Sequence, residues 1–334
     1  MAERTQTALV FQGGGAAGAY HLGVFSYLHE AGLQPDIVTG SSIGAITAAV
    51  IVGTRAGDPL ADLDAVWKEF TVGAPFLTSE AGRAISSVVN FGMFHPRFDI
   101  WAAPTWTALL SNNPLRSTLV RHVDFDKLNE SSTAFAVSAI DVQTGCIEYF
   151  RNRGNAYVSL DDIVASGSMP PNFPMTEIDG KSYWDGGVFD PNPIEPALEF
   201  FGKDPQTRRR LIVVAPAPGR TCAPTSFTEV SERVIELQIG IKVKSELSEL
   251  RRRNQILEVI QDLGPETQDR FAKAFPGPGG LDTASYLDEI IHIDNPDPRV
   301  SSNVLDFSAA SIRRRTLAGY EDARNAMQDT ALAS

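Results

Sequence analysis

Ser42 stands in Gly40-Ser41-Ser42-Ile43-Gly44, a G-x-S-x-G pentapeptide. A hydroxyl at the tip of a sharp turn can attack a carbonyl carbon if a base takes its proton and N–H donors receive the oxyanion. Gly40 and Gly44 let the backbone pass such a turn without a Cβ clash. A second glycine-rich stretch, Gly13-Gly14-Gly15-Ala16-Ala17-Gly18, precedes it. A turn of this kind points successive N–H groups into one concavity. Gly13, Gly14 and Gly15 are therefore the candidate oxyanion donors, with Gly14 and Gly15 foremost.

The base is harder to find. The chain has five histidines: His21, His29, His95, His122 and His292. In a Ser–Asp–His chain order the base comes last, which leaves His292. It alternates with apolar residues in Ile290-Ile291-His292-Ile293 and reads as one face of a strand. His21 falls in the helix after the glycine loop and reads as packed or solvated. The better candidate is Asp185, in Trp184-Asp185-Gly186-Gly187, a carboxylate held in a tight turn at the end of a hairpin strand. The rigid loop Asp190-Pro191-Asn192-Pro193 follows it. A free aspartate has a pKa of about 3.9 and is a weak base at neutral pH. It serves only if its site raises that value or couples proton transfer to carbonyl attack.

The elements that must position these groups are legible as periodicity. Ala8-Leu9-Val10-Phe11 is a buried-type strand running into the glycine loop. A helix with Tyr20, Val24, Tyr27 and Leu28 on one stripe follows, with Gly32 at its C-terminal end. Pro35 to Thr39 is a second strand, the serine turn comes next, and Ala45 to Val52 is a second helix. This β-α-β-α order with short connections predicts an α/β fold, a central mostly parallel sheet covered by helices. Thr133–Val142 with Cys146–Phe150, and Glu177–Trp184 around Asp179-Gly180, read as hairpins. Leu160 to Ala165 reads as a helix, and Leu211 to Ala215 and Ile290 to Ile293 as strands.

Four blocks now stand in order: Gly13 to Gly18, Gly40 to Gly44, Ala165-Ser166-Gly167-Ser168-Met169-Pro170, and Asp185-Gly186-Gly187. Together they resemble the patatin-like phospholipases, over roughly residues 8 to 215. The resemblance implies a patatin-like three-layer fold and a Ser–Asp dyad with no histidine, Ser42 as nucleophile and Asp185 as general base. Gly18, Gly186 and Gly187 would support these motifs, with no metal or organic cofactor. The family often carries Lys or Arg where this chain has Ala17, so the loop would lack an added positive charge near the oxyanion. The chain also resembles a bacterial-type subgroup with a helical C-terminal extension.

Composition bounds the partners. Lys plus Arg is 29 and Asp plus Glu is 41, a net charge of -12. That argues against nucleic acid as a partner and against simple electrostatic docking to anionic lipid. The two cysteines, Cys146 and Cys222, form neither a C-x-x-C pair nor a zinc pattern, and point to a reducing cytoplasmic compartment. No signal peptide or membrane-crossing run is expected, so contact with lipid would be peripheral, at the inner face of a membrane.

Residues 1–215 are expected to form the catalytic core, with an aromatic-rich insertion over about 73–116 that carries Phe76, Phe91, Phe94, Phe98, Trp101 and Trp106. It reads equally as a lid over an acyl pocket or as core for a helical pair. Residues 216–334 are expected to be a mainly helical extension packed on the core. Its long helix from Thr228 to Leu263 suggests packing or a homo-oligomer contact, and Arg251-Arg252-Arg253 a solvated face.

The function expected is a serine acyl hydrolase cleaving carboxylic esters of lipids, of phospholipase A or lipid acyl hydrolase type, with thioesterase or general carboxylesterase action on the same dyad as the nearest alternative. Gly13-x-Gly15-x-x-Gly18 also meets the dinucleotide fingerprint. That fold needs an acidic residue at the end of the second strand, where this chain has Thr39-Gly40-Ser41. A dinucleotide-binding protein and a non-catalytic lipid-binding regulator are the competing readings.

Overall fold

A computed structural model describes residues 4–72, 90, 92–154, 157–204, 206–216, 223–225, 227–301 and 303–333. Gly73, Phe76, Phe91 and Cys222 lie outside the described residues. The described strands are β1 (Arg4–Phe11), β2 (Ile37–Gly40), β3 (His95–Pro96), β4 (Leu110–Ser111), β5 (Ala134–Asp141), β6 (Ile147–Arg151), β7 (Thr176–Ile178), β8 (Lys181–Asp185), β9 (Thr207–Val214) and β10 (Glu289–Ile293). Eight of them form one sheet, in the order β10-β9-β1-β2-β5-β8-β7 with β6 beside β5. From β10 to β5 every pairing is parallel, and β6, β8 and β7 pair antiparallel.

Both faces of the sheet are covered, as the continuous apolar runs of β1 and β9 require. Leu9, Phe11, Ile212 and Val214 enter one core with the helices α1 (Ala19–Glu30), α2 (Ile43–Val52) and α3 (Pro59–Phe70). Ala8, Val10, Leu211 and Val213 enter a second core with helix Ile194–Phe200 and the long helix Phe227–Gln261. The result is a three-layer α/β sandwich.

Register then sets the site. Phe11 pairs with Gly40, and Gly40 with Val137, so the glycine loop and the serine turn leave the sheet at the same carboxyl edge. Asp185 enters antiparallel and pairs with Ala139, two residues beyond Val137. Four distant segments thus meet at the edge where open α/β sheets bind ligands.

The C-terminal part contributes to both layers and sheet. β10 pairs with β9, aligning Ile293 with Val214. The C-terminal helix Ala309–Ala333 packs on α1, where the Tyr20 hydroxyl donates to Asp322 at 2.9 Å and the Tyr27 and Tyr320 rings meet edge-on. The arginine run on the long helix departs from expectation. Arg251 and Arg252 are exposed, but Arg253 is buried and donates to Gly280 O at 2.9 Å and Ser285 O at 3.2 Å. One residue of a run turns inward because a helix rotates about 100° per residue, and these backbone carbonyls accept from it there. Among the described residues no helix is long and apolar enough to cross a membrane.

Candidate active site

Ser42 sits at the N-cap of α2 with φ 55 and ψ −123, a conformation L-residues rarely adopt. Such strain costs about 1–3 kcal/mol and persists only where the surroundings impose it. They do so here. A Cβ on Gly18 would strike Ile43, one on Gly40 the Gly44 carbonyl, and one on Gly44 the Phe11 carbonyl. The Ser42 N–H donates to Ser166 Oγ at 3.1 Å, at the end of helix Leu160–Ser166. Ser42 is partly exposed, whereas Ser41 is buried and its hydroxyl has no hydrogen-bond partner among the described residues.

Asp185 is fully buried at the end of β8. Its N–H donates to Ser168 O at 3.1 Å, and its Oδ1 accepts the Gly187 N–H at 2.7 Å. Burial pushes its pKa up to about 7, against the opposing pull of the Ser42 hydroxyl and the Gly187 N–H. The hydroxyl therefore interacts with this carboxyl, yet among the described residues no hydrogen bond of good geometry reaches Oδ2. Catalytic hydrogen bonds are often long before substrate arrives.

Gly186 is the tight point of this turn. A Cβ there would land on the Ser138 hydroxyl and carbonyl of β5. Gly186→Ala should therefore displace Asp185 and destabilise the fold by about 2 kcal/mol or more, as overpacking does. Urea unfolding checks it: a midpoint equal to that of wild type would mean that the turn has slack.

The glycine loop has Gly14 at φ 147 and Gly15 at φ 53. The Gly13 N–H donates to Pro191 O at 2.9 Å, Ala16 N–H to Val304 O at 2.7 Å, and Ala17 N–H to Gly14 O at 3.1 Å. Gly13 is thus corrected as an oxyanion candidate, because its donor is already committed within the protein. The Gly14 and Gly15 amides have no hydrogen bond to a described residue and remain the candidates. Ala17 is buried.

A polar strut that sequence reasoning missed fixes this loop. Gln12 Nε2 donates to Asn192 Oδ1 at 2.9 Å, and Asn192 Nδ2 to Glu246 on the long helix at 3.0 Å. The Asp190 N–H donates to Gly186 O at 2.7 Å, and Thr39 Oγ1 donates to Pro193 O at 2.8 Å. Residues 190–193 therefore tie together the Asp185 turn, the glycine loop and the serine strand. The run Asp-Pro-Asn-Pro signalled rigidity, but nothing in it named the partners.

Gly14, Gly15, Ser42 and Gly187 open onto one cavity of about 210 Å³. Its side chains are mostly apolar, Ile43, Ile46, Met93, Phe94, Phe173 and Phe307 among them, with Asn172 the polar one besides Ser42. Of the aromatic insertion, Phe94 is buried and lines the cavity. Phe98 and Trp101 are exposed, and the Arg97 guanidinium lies over the Trp106 ring.

The histidines are engaged elsewhere. His21 is buried beside Phe11 and Thr47, and burial holds its pKa down to about 3. His292 bonds through Nε2 to Ala215 O at 3.0 Å. His122 faces Glu69 and Asp62, and His95 stacks on Phe98. Among the described residues no histidine has a recorded contact with Ser42 or Asp185.

A family model described as patatin-like phospholipase matches residues 9–198. A triacylglycerol lipase, ptl3, of Schizosaccharomyces pombe is 57% identical over 42 residues, 13% of this chain and 9% of that protein. The triacylglycerol lipase SDP1L of Arabidopsis thaliana is 52% identical over 50 residues, 15% of this chain and 6% of that protein. The matched part thus spans under a tenth of either relative. The crystal structure of VipD from Legionella pneumophila aligns over 98% of this chain and 67% of that one, with 14% identity and a TM-score of 0.41. The family match takes in all of Gly13-x-Gly15-x-x-Gly18 and displaces the dinucleotide reading.

Proposed function

The chain belongs to the patatin-like phospholipase family, and from that premise we propose that it is a serine acyl hydrolase cleaving carboxylic esters of lipids through a Ser42–Asp185 dyad. The observation that carries this reading is a partly exposed serine and two uncommitted glycine amides on one largely apolar cavity, with a fully buried carboxyl, raised to about 7, interacting with that serine.

In this cycle the Ser42 oxygen attacks the ester carbonyl carbon while its proton passes to Asp185. The carbonyl oxygen becomes an oxyanion and takes N–H bonds from Gly14 and Gly15. One such donor is worth about 2.7–4 kcal/mol. The intermediate collapses, the alcohol departs with the proton from Asp185, and an acyl-Ser42 ester remains. Water then gives a proton to Asp185 as its oxygen attacks the acyl carbon. Collapse returns that proton to Ser42 and releases the carboxylic acid. A pKa close to neutrality suits a group that must both accept and return a proton.

The apolar cavity supports an acyl chain as the bound part. The exposed Phe98 and Trp101 support peripheral contact with a lipid surface, since aromatic rings favour the interface. Thioester cleavage on the same dyad is the nearest alternative. Turnover of p-nitrophenyl esters, phospholipid vesicles, a triacylglycerol emulsion and acyl thioesters should be compared. Faster cleavage of the lipid oxyesters is expected; preference for thioesters would move the substrate class, and no turnover of any would overturn the reading.

A further inference from the structure

One wall of the Ser42 cavity lies outside the family match. Val304, Leu305 and Phe307 line it, and all fall beyond residue 198. They belong to the loop between the short helix Pro298–Ser301 and the C-terminal helix. This loop is fastened in three ways. The Val304 carbonyl accepts the Ala16 N–H at 2.7 Å, and it fits against Gly15 only because a Cβ there would land on that oxygen. Arg315, fully buried on the C-terminal helix, donates to Val300 O at 3.0 Å, Asn303 O at 3.0 Å and Asp306 O at 2.9 Å. The Phe307 ring packs among Trp67, Phe70 and Phe94 at centroid distances of 6.4, 6.5 and 6.0 Å.

Leu305 lies between these anchors, partly buried and facing the cavity. A guanidinium fork on two carbonyls of the loop and one of the short helix before it holds backbone geometry in a way a lysine ammonium does not. A wall held this firmly cannot retreat from a longer ligand without breaking these hydrogen bonds. In an apolar pocket each methylene that fits or fails to fit changes kcat/KM by roughly 10–200-fold.

We propose that residues 303–307, fastened by Arg315, set the acyl-chain length that the Ser42 cavity accepts, with Leu305 as the specificity-determining side chain. The proposal rests on the ester-hydrolase reading above and gives the C-terminal segment a role in substrate choice. The preferred substrate class is accordingly an ester of a single aliphatic acid whose length the wall limits.

The test is kcat/KM for p-nitrophenyl esters from butyrate to palmitate with wild type, Leu305→Trp, Leu305→Ala and Arg315→Lys, each melted to verify folding. Leu305→Trp should move the optimum to shorter chains and lower the long-to-short ratio by about tenfold or more. Leu305→Ala should move it to longer chains, and Arg315→Lys should broaden the profile. If Arg315→Lys does not fold, the two Leu305 variants decide. Active Leu305 variants with the wild-type profile would overturn the proposal. A wild type inert toward every ester would instead remove the hydrolase reading, and the proposal with it.

Discussion

Ser42→Ala is expected to lower kcat on any ester by about 10⁴-fold or more while leaving the fold intact. Loss of a nucleophile in a covalent mechanism costs this much because acyl transfer has no second route of comparable rate. The substitution keeps the backbone that positions residue 42. Its bond to Ser166 is made through the Ser42 N–H, which alanine retains. The backbone at φ 55 is as demanding for alanine as for serine, so the melting temperature should change little. Steady-state turnover beside a thermal melt separates the two effects. A folded Ser42→Ala protein with most of its activity would place the nucleophile elsewhere.

Asp185→Asn should lower kcat by about 10²–10⁴-fold, the range for removing a general acid–base group. The amide keeps the shape of the side chain and can still accept the Gly187 N–H, but it cannot take the Ser42 proton. The pH profile carries a sharper signature. Asp185 acts as base only when ionised, and burial raises its pKa to about 7. Wild-type kcat/KM should therefore rise with pH and reach half its plateau near that value. The residual activity of Asp185→Asn should lack that step.

Stability moves the opposite way. In the unfolded chain this carboxyl ionises at about pH 3.9, and in the folded protein at about 7. Between those values the folded state binds more protons, so rising pH removes stability, by up to about 4 kcal/mol once both are passed. Asparagine has no charge to bury and escapes this loss. Asp185→Asn should melt above wild type at pH 8 and by a smaller margin at pH 5. Equal margins at both pH values would mean that Asp185 is not held neutral by its site.

The same contrast explains what could be read from the chain. The serine turn was legible because Gly40 and Gly44 flank Ser42 between a strand-type and a helix-type run. Asp185 was legible because the Asp-Gly-Gly turn ends a hairpin. The sheet followed from β-α-β-α alternation. Position within the sheet was not legible, since the pairing of Asp185 with Ala139 depends on register between distant segments. Hydrogen-bond partners of loop backbone were equally hidden. No pattern around Gly13 announces that the Pro191 carbonyl takes its N–H, or around Gly15 that Val304 closes over it. Carbonyl acceptors belong to every residue type and leave no trace in composition. The buried Arg253 and Arg315 were obscured for the same reason, because each meets backbone carbonyls rather than acidic side chains in a recognisable spacing.

The central claim is a serine activated by an aspartate without a histidine. Its most direct test is the rate of labelling by a fluorophosphonate probe, with the modified peptide mapped by mass spectrometry, in wild type, Asp185→Asn and His292→Ala. The account predicts a single adduct on Ser42, unchanged labelling in His292→Ala, and labelling slowed by about 10²-fold or more in Asp185→Asn. An unlabelled wild type, an adduct on another residue, or an Asp185→Asn protein that labels at the wild-type rate would contradict it.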